Sequence, residues 1–402
     1  MLKEKLITYF KSGEKEQEKF LIGTELAHII LRKGDLKAVP FKGPQGVESL
    51  LAELTQKGWD GVKEGEHLIT LKQNSITIRL GAGSQLILSI ANAKNIREID
   101  KIYLKFLKDI FPLLEDRQQL MLTIGYQPAS RTEDIQLNPQ KKYAFINEYF
   151  SDQNIYARQL LKSTASTKVT FDYAHLDDFR KKMHIAYALS PVMAALFDNS
   201  PIYEGKVYEE KCLRKFIYNN CDDERFYISD IYKNNYNYDD YADFLLKCIL
   251  KTSKSQQELC KDQDFDNTLI EKITDTVFSE IQLKKTIEIN MVDALPYPLN
   301  MAYIALWKGL LYNQDNLYAL DEFTKTITSE DIAQANNDIL KEGLNAKFGQ
   351  GTILDLAKDL FFMAGNPTSN NEVHYLQPLE AIIFKEISPR EVTLRHLQEF
   401  GK

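Results

Sequence analysis

The chain's first long apolar run, Phe20–Leu31, carries one acid at its centre, Glu25, and predicts a buried strand. Residues 2–11 and Val47–Lys57 instead repeat their apolar positions at helical spacing. His67–Lys72 and Ser75–Leu80 alternate like strands, and the Gln73–Asn74 step between them predicts a hairpin. Gln85–Ile90, Leu120–Gly125 and Lys168–Tyr173 predict further strands. Ile96–Phe111 places Ile99, Ile102, Phe106 and Ile110 on one helical face, with Pro112 as its expected stop. From residue 176 the pattern is mostly helical, and His184–Phe197 reads as one long apolar helix. Thr286–Met291 returns to strand, then a Pro296–Pro298 break precedes a helix through Tyr312. Residues 315–402 read as helices, with Ser329 capping Asp331–Lys341 and Pro389 preceding the last one. Tyr227–Tyr241, polar and rich in tyrosine, reads as an ordered surface excursion rather than core. The pattern implies an α+β body in which widely separated strands meet in a single sheet. A helical region over residues 313–402 packs on the body formed by residues 1–312.

Composition narrows the function classes. The 402 residues are 44% hydrophobic and 27% charged, enough for a large core. Net charge is −7 with acids and bases mixed, and no basic run points to nucleic acid. No window approaches the roughly 18 apolar residues of a membrane span, and the charged N-terminal stretch lacks a signal-peptide core. Cys212, Cys221, Cys248 and Cys260 form no zinc-like spacing and read as reduced thiols of a cytoplasmic protein.

The candidate chemistry lies in acids placed inside apolar strands. Glu25 and Glu288 each sit at a strand centre, where an unpaired carboxylate is expensive to bury. On a core face they should be salt-bridged; lining a cleft, they suit Mg²⁺, which takes hard oxygen ligands and shares them with phosphate. His28 reads as core or cleft wall rather than a ligand. Gly81-Ala82-Gly83 is the nearest approach to a phosphate loop and reads as a turn.

Five ordered segments across residues 20–298 resemble glutamate–cysteine ligases of the plant and actinobacterial type. They are Ile22-Gly23-Thr24-Glu25; Gly83-Ser84-Gln85-Leu86 with Leu88-Ser89; and Ser163-Thr164-Ala165-Ser166 with Val169 and Asp172. The remaining two are Ala188-Leu189-Ser190-Pro191 with Ala195-Leu196-Phe197-Asp198-Asn199-Ser200-Pro201 and Glu204-Gly205, and Ile287-Glu288-Ile289 with Asp293-Ala294-Leu295-Pro296. Gly125-Tyr126-Gln127-Pro128 is a weaker sixth. The resemblance implies a glutamine-synthetase-like catalytic fold: a curved, mainly antiparallel sheet forming a funnel, with helices outside. It implies ATP-dependent ligation of a small-molecule amino acid or carboxylate through an acyl phosphate. Mg²⁺ would neutralise the crowded anionic oxygens.

Carried over residue by residue, the resemblance assigns Glu25 and Glu288 to metal. It assigns Gln85, Ser166 and Asn199 to the cofactor, and Lys168, Arg214 and Asn290 to catalysis. Three family carboxylates are replaced, by Ala27, Gly81 and Ile87, which implies loss of the substrate-side metal while one site at Glu25 and Glu288 stays open. Lys168 and Asn290 stand where the family has Gln and Arg, and Asn cannot clamp phosphate bidentately. Three readings follow: a ligase with an altered substrate; a pseudoenzyme that binds, or pairs with an active homologue; and an ordinary glutamate–cysteine ligase with ligands relocated to Asp60, Glu64 or Glu66. A homo-oligomer fits each of them.

Overall fold

The computed structural model describes residues 2–151, 155–221, 228–233, 235–250, 270–271, 274, 277–366 and 372–400. Nine antiparallel strands form the main sheet. They are β1 (Ile22–Arg32), β2 (Asp60–Glu64), β3 (His67–Gln73), β4 (Ile76–Leu80), β5 (Leu86–Ala93), β6 (Gln119–Leu122), β7 (Ser166–Phe171), β8 (Ile281–Leu283) and β9 (Ile287–Asp293). The order is β8-β9-β7-β1-β5-β4-β3-β2, and β6 pairs with the far end of β1. The strand at Phe20–Leu31 is therefore the centre of the sheet, hydrogen-bonded to β5 and β7.

Period-two alternation gives the sheet two unlike faces. Ile22, Leu26, Ile30, Leu88, Val169, Phe171, Ile287 and Ile289 enter one large core with the helices Leu176–Ala188, Ser190–Leu196 and Leu299–Leu311. His28 belongs to that core, its ring nitrogens 3.1 Å from the Leu86 carbonyl and 3.0 Å from the Tyr103 hydroxyl. Burial pushes its pKa down to about 4, so it is neutral at pH 7. Glu25, Ala27, Lys168, Glu288 and Asn290 lie on the opposite, polar face. The C-terminal helices share the large core: Gln314–Thr324 packs on Leu176–Ala188, and Ile353–Ala364 packs on Leu299–Leu311 and Ser190–Leu196.

Several local expectations are corrected. Pro112 does not stop its helix, which runs over Ile96–Asp116. Pro112 and Lys108 are on the exposed side, where water can take up the carbonyl that the proline leaves unpaired. Pro112→Ala should therefore raise stability by about 1 kcal/mol or more, read as a higher urea midpoint with unchanged slope. His184–Phe197 is two helices, Leu176–Ala188 and Ser190–Leu196, broken at Leu189 because Pro191 cannot donate to a continuing helix. The cap near Ser329 is Thr328, which forms a reciprocal box with Asp331. Asp60 and Glu64, the acids considered as relocated ligands, lie on strand β2.

The tyrosine segment is core, not a surface excursion. Tyr236, Tyr238 and Tyr241 are buried, and Tyr238 packs on Phe10, Tyr173 and Phe179. Their hydroxyls hid this in the sequence, because a buried phenol can satisfy its polar end locally. Tyr238 donates to Glu14, and the Tyr241 hydroxyl accepts from the Leu283 amide. Tyr227 and Cys260 lie outside the described residues.

Candidate active site

Strand register assembles a row of charges on the polar face. Glu25 stands opposite Lys168 on β7, and Ala27 stands opposite Ile87 on β5. Ile87 in turn faces Arg79 on β4. The hairpin β8–β9 sets Gln282 against Glu288 and brings Lys284 to the same place. Lys168 Nζ lies 3.0 Å from Glu25 Oε2 and 3.2 Å from Glu288 Oε2, bridging the two acids. Arg79 pairs with the other oxygen of Glu25, and Lys284 Nζ is 3.2 Å from Glu288 Oε2. Burial by itself would raise both carboxyl pKa values; Arg79 and Lys168 hold Glu25 well below the usual range, and Lys168 and Lys284 lower Glu288. Burial likewise disfavours charged Lys168, but Glu25 and Glu288 outweigh it and raise its pKa. Glu25, Lys168 and Glu288 therefore stay ionised at pH 7.

The row borders a cavity of about 270 Å³. Ala27, Gly81, Ala82 and Ile87 form one stretch of its wall, and Ala157, Leu160, Leu161, Ala165, Val277 and Phe278 add further apolar lining. The positions at which the family's three carboxylates are replaced therefore converge. Ser166, Lys168, Arg214, Lys284 and Asn290 also line the space. Arg214 spends two guanidinium nitrogens on the main-chain carbonyls of Val292 and Asn290, at 3.3 and 3.4 Å. Its buried Nε has no hydrogen-bond partner. The Asn290 amide donates to the Glu280 carbonyl, and its side-chain oxygen is 3.5 Å from Arg214. A smaller cavity of about 200 Å³, lined by Glu25, Asp172, Glu288, Ser89 and Thr170, lies on the other side of Glu25 and Glu288.

The remaining expected cofactor residues are committed to the walls. Gln85 also lines the cavity, but its side-chain amide donates to the Lys162 and Thr164 carbonyls at 3.1 and 2.9 Å, and its oxygen accepts from the Gly83 amide. Asn199 is not part of the cavity lining. Its side chain donates to the Thr123 and Ala294 carbonyls, each at 2.8 Å, while its main-chain N–H and the Ser200 hydroxyl both donate to Asp293 Oδ2 at 2.7 Å. The Leu-Phe-Asp-Asn-Ser-Pro block thus staples β9 to the loop before Gly125. Asp60, Glu64 and Glu66 do not line the cavity either; β2 is four strands from β1.

Arg79 and Lys284 were missed by the sequence reading. Their signal was the one that exposed Glu25: a charge beside apolar strand positions, on the polar-face parity. Among the described residues, no three His, Cys, Asp or Glu side chains converge as a metal site. Each of the two acids assigned to metal is already neutralised by two fixed cations. As arranged, this donor set does not fit a Mg²⁺ ion held by the protein.

The comparisons agree on family and fold. The model of glutamate–cysteine ligase family 2 matches residues 21–385. The chain is 26% identical to the chloroplastic glutamate–cysteine ligase A of Oryza sativa subsp. indica, over 97% of this chain and 84% of that one. It is also 26% identical to the chloroplastic glutamate–cysteine ligase of Arabidopsis thaliana, over 98% and 79%. Among solved structures it resembles a Francisella tularensis glutamate–cysteine ligase in complex with AMP, with a TM-score of 0.65 at 13% identity over 96% of this chain and 86% of that one. The glutamine-synthetase-like α+β fold implied by the resemblance is thereby supported, with a mainly antiparallel sheet and helices outside it. Among the described residues no helix is long and apolar enough to cross a membrane. From residue 21 to residue 385, the chain belongs to glutamate–cysteine ligase family 2.

Proposed function

We propose that the protein is an ATP-dependent carboxylate–amine ligase whose carboxylate substrate differs from glutamate. The observation that carries this reading is the wall formed by Ala27, Gly81 and Ile87 beside the Glu25–Lys168–Glu288 row. Family membership and the AMP-bound relative support nucleotide use. A substrate carboxylate oxygen attacks the γ-phosphorus of ATP, and the bond to ADP breaks. An amine then attacks the acyl carbon, phosphate leaves, and the surplus proton passes to solvent. Both steps crowd anionic oxygens. Lys168, Lys284 and Arg214 are fixed cations beside the cavity, and preorganised charge of this kind is commonly worth about 2.7–4 kcal/mol of barrier per group. Asn290 orients Arg214, Ser166 is the hydroxyl at hand for a phosphate oxygen, and Gln85 and Asn199 keep the walls in place. A divalent ion enters this reading only as the counter-ion of ATP itself.

Residues 1–312 form the catalytic unit in this reading, and residues 313–402 support it through the shared core. A cytoplasmic location belongs to this reading, in which the buried Cys212 is a reduced thiol. One observation favours a second reading, a pseudoenzyme that binds without turnover, alone or with an active homologue: Glu25 and Glu288 are already fully paired. Two measurements separate the readings. Calorimetric titration with ATP and Mg²⁺ is expected to give saturable binding; its absence favours the pseudoenzyme. ADP release with a panel of acids and amines is expected to exceed that with glutamate and cysteine. Turnover with glutamate and cysteine alone sinks the altered-substrate reading and favours the ordinary ligase.

A further inference from the structure

Resting on the ligase reading, we infer that the acid accepted by the cavity is a monocarboxylate with an aliphatic body of amino-acid size, not a dicarboxylate. The cavity has two chemically distinct ends. Among the described residues, Lys168, Arg214 and Lys284 line it against a single carboxylate, Glu25, leaving two positive charges in excess. Arg79 and Glu288, just behind the lining, pair with members of the row and leave that excess unchanged. The Val292 and Asn290 carbonyls hold the Arg214 guanidinium in the wall, so its charge is fixed at this end, where a ligand carboxylate would offset the excess.

The other end offers no charge. Ala27, Ala82, Ile87, Leu160, Leu161 and Ala165 turn carbon toward the space. A second carboxylate placed there would lose its water, and the Arg79 opposite Ile87 is already paired with Glu25, whereas an aliphatic chain would gain by the same burial. Size sharpens the choice. At about 270 Å³ the space lies just below the usual range of ligand pockets, about 300–1,000 Å³, and suits one small acid. Glu25, the one acid in the lining, is held by Lys168 and Arg79, so an α-ammonium group is not required for recognition.

The test uses the full chain and reads acid binding apart from turnover. Calorimetry with 4-methylpentanoate, leucine, glutamate and glutarate, with and without ATP, is expected to show either aliphatic acid binding at least about tenfold more tightly than either dicarboxylate. Equal or tighter binding of glutamate or glutarate, or no binding of any acid, overturns the inference. Ile87→Glu is expected to weaken 4-methylpentanoate by tenfold or more. An unchanged affinity in a variant with unchanged circular dichroism also overturns it. The two levels fail separately: aliphatic-acid binding without ADP release under any amine sinks the ligase reading alone, while ADP release that prefers glutarate to both glutamate and 4-methylpentanoate sinks this inference alone.

Discussion

Lys168→Met is expected to destabilise the protein by about 3 kcal/mol, to make it acid-sensitive and to let it bind Mg²⁺. Removing one member of a buried ion pair typically costs about 3–5 kcal/mol, because the partner is left buried and uncompensated. The row is only partly buried, and Arg79 still holds Glu25 and Lys284 still holds Glu288, which keeps the loss at the lower end of that range. The pH effect has a definite sign. Glu25 and Glu288 have depressed pKa values in the folded protein, so their contribution is present above the ordinary carboxylate range and is lost as pH falls through the depressed values. Without Lys168 both depressions shrink and the two acids repel, so acid unfolding should begin at higher pH. The same change exposes two carboxylates to a divalent cation, so millimolar Mg²⁺ should raise the melting temperature of the variant and leave the parent unmoved. Urea and acid titrations, and thermal melts with and without Mg²⁺, all followed by circular dichroism, read the three effects. An unchanged urea midpoint at pH 7 would show that Lys168 does not hold the row together.

Asp293→Ala is expected to cost about 3 kcal/mol for a different reason. Asp293 Oδ2 accepts both the Asn199 amide and the Ser200 hydroxyl in a buried site. Each buried donor left without an acceptor costs about 1–3 kcal/mol. Asp293→Asn keeps an oxygen there and should cost less, which separates the hydrogen bonds from the charge. The charge has its own signature. Burial, and then the nearby Asp293, push Asp198 up to about 7. A raised carboxyl contributes its stability fully below the unfolded value near 4 and loses it as pH rises through about 7. Parent stability should therefore decline between about pH 4 and pH 7 from this site, and both variants should flatten that decline. Urea midpoints measured across that interval test it, and an identical pH profile for parent and Asp293→Asn would remove Asp293 as a cause.

Part of the site was legible because strands expose their parity. Glu25 and Glu288 stood out as acids inside apolar runs, and Ala27, Gly81 and Ile87 were recognised as one lost cluster before any geometry was known. The structure brings those three positions to one wall. Asn199 was misleading for a physical reason. A motif is retained as readily for stapling a fold as for touching a ligand, and Asn199 uses its amide on two main-chain carbonyls. Helices Lys141–Ser151 and Ile155–Ser163, which supply Tyr143, Leu160 and Leu161 to the cavity, went unread because polar residues interrupt their periodicity.

The amino-acid sequence by itself determined the strand and helix content of the body, which follows from local period and residue type. Five ordered segments carried the resemblance to the family, and that resemblance marked Ala27, Gly81 and Ile87 as neutral replacements of its carboxylates. Only the tertiary structure decided what became of Glu25 and Glu288. Their neutralisers come from elsewhere in the chain, Arg79 from β4, Lys168 from β7 and Lys284 from the turn after β8, and register sets Lys168 between the two acids. Whether a buried carboxylate binds a metal or a lysine depends on which charge the fold brings within about 3 Å of it, and no local pattern encodes a distance between residues more than 100 positions apart.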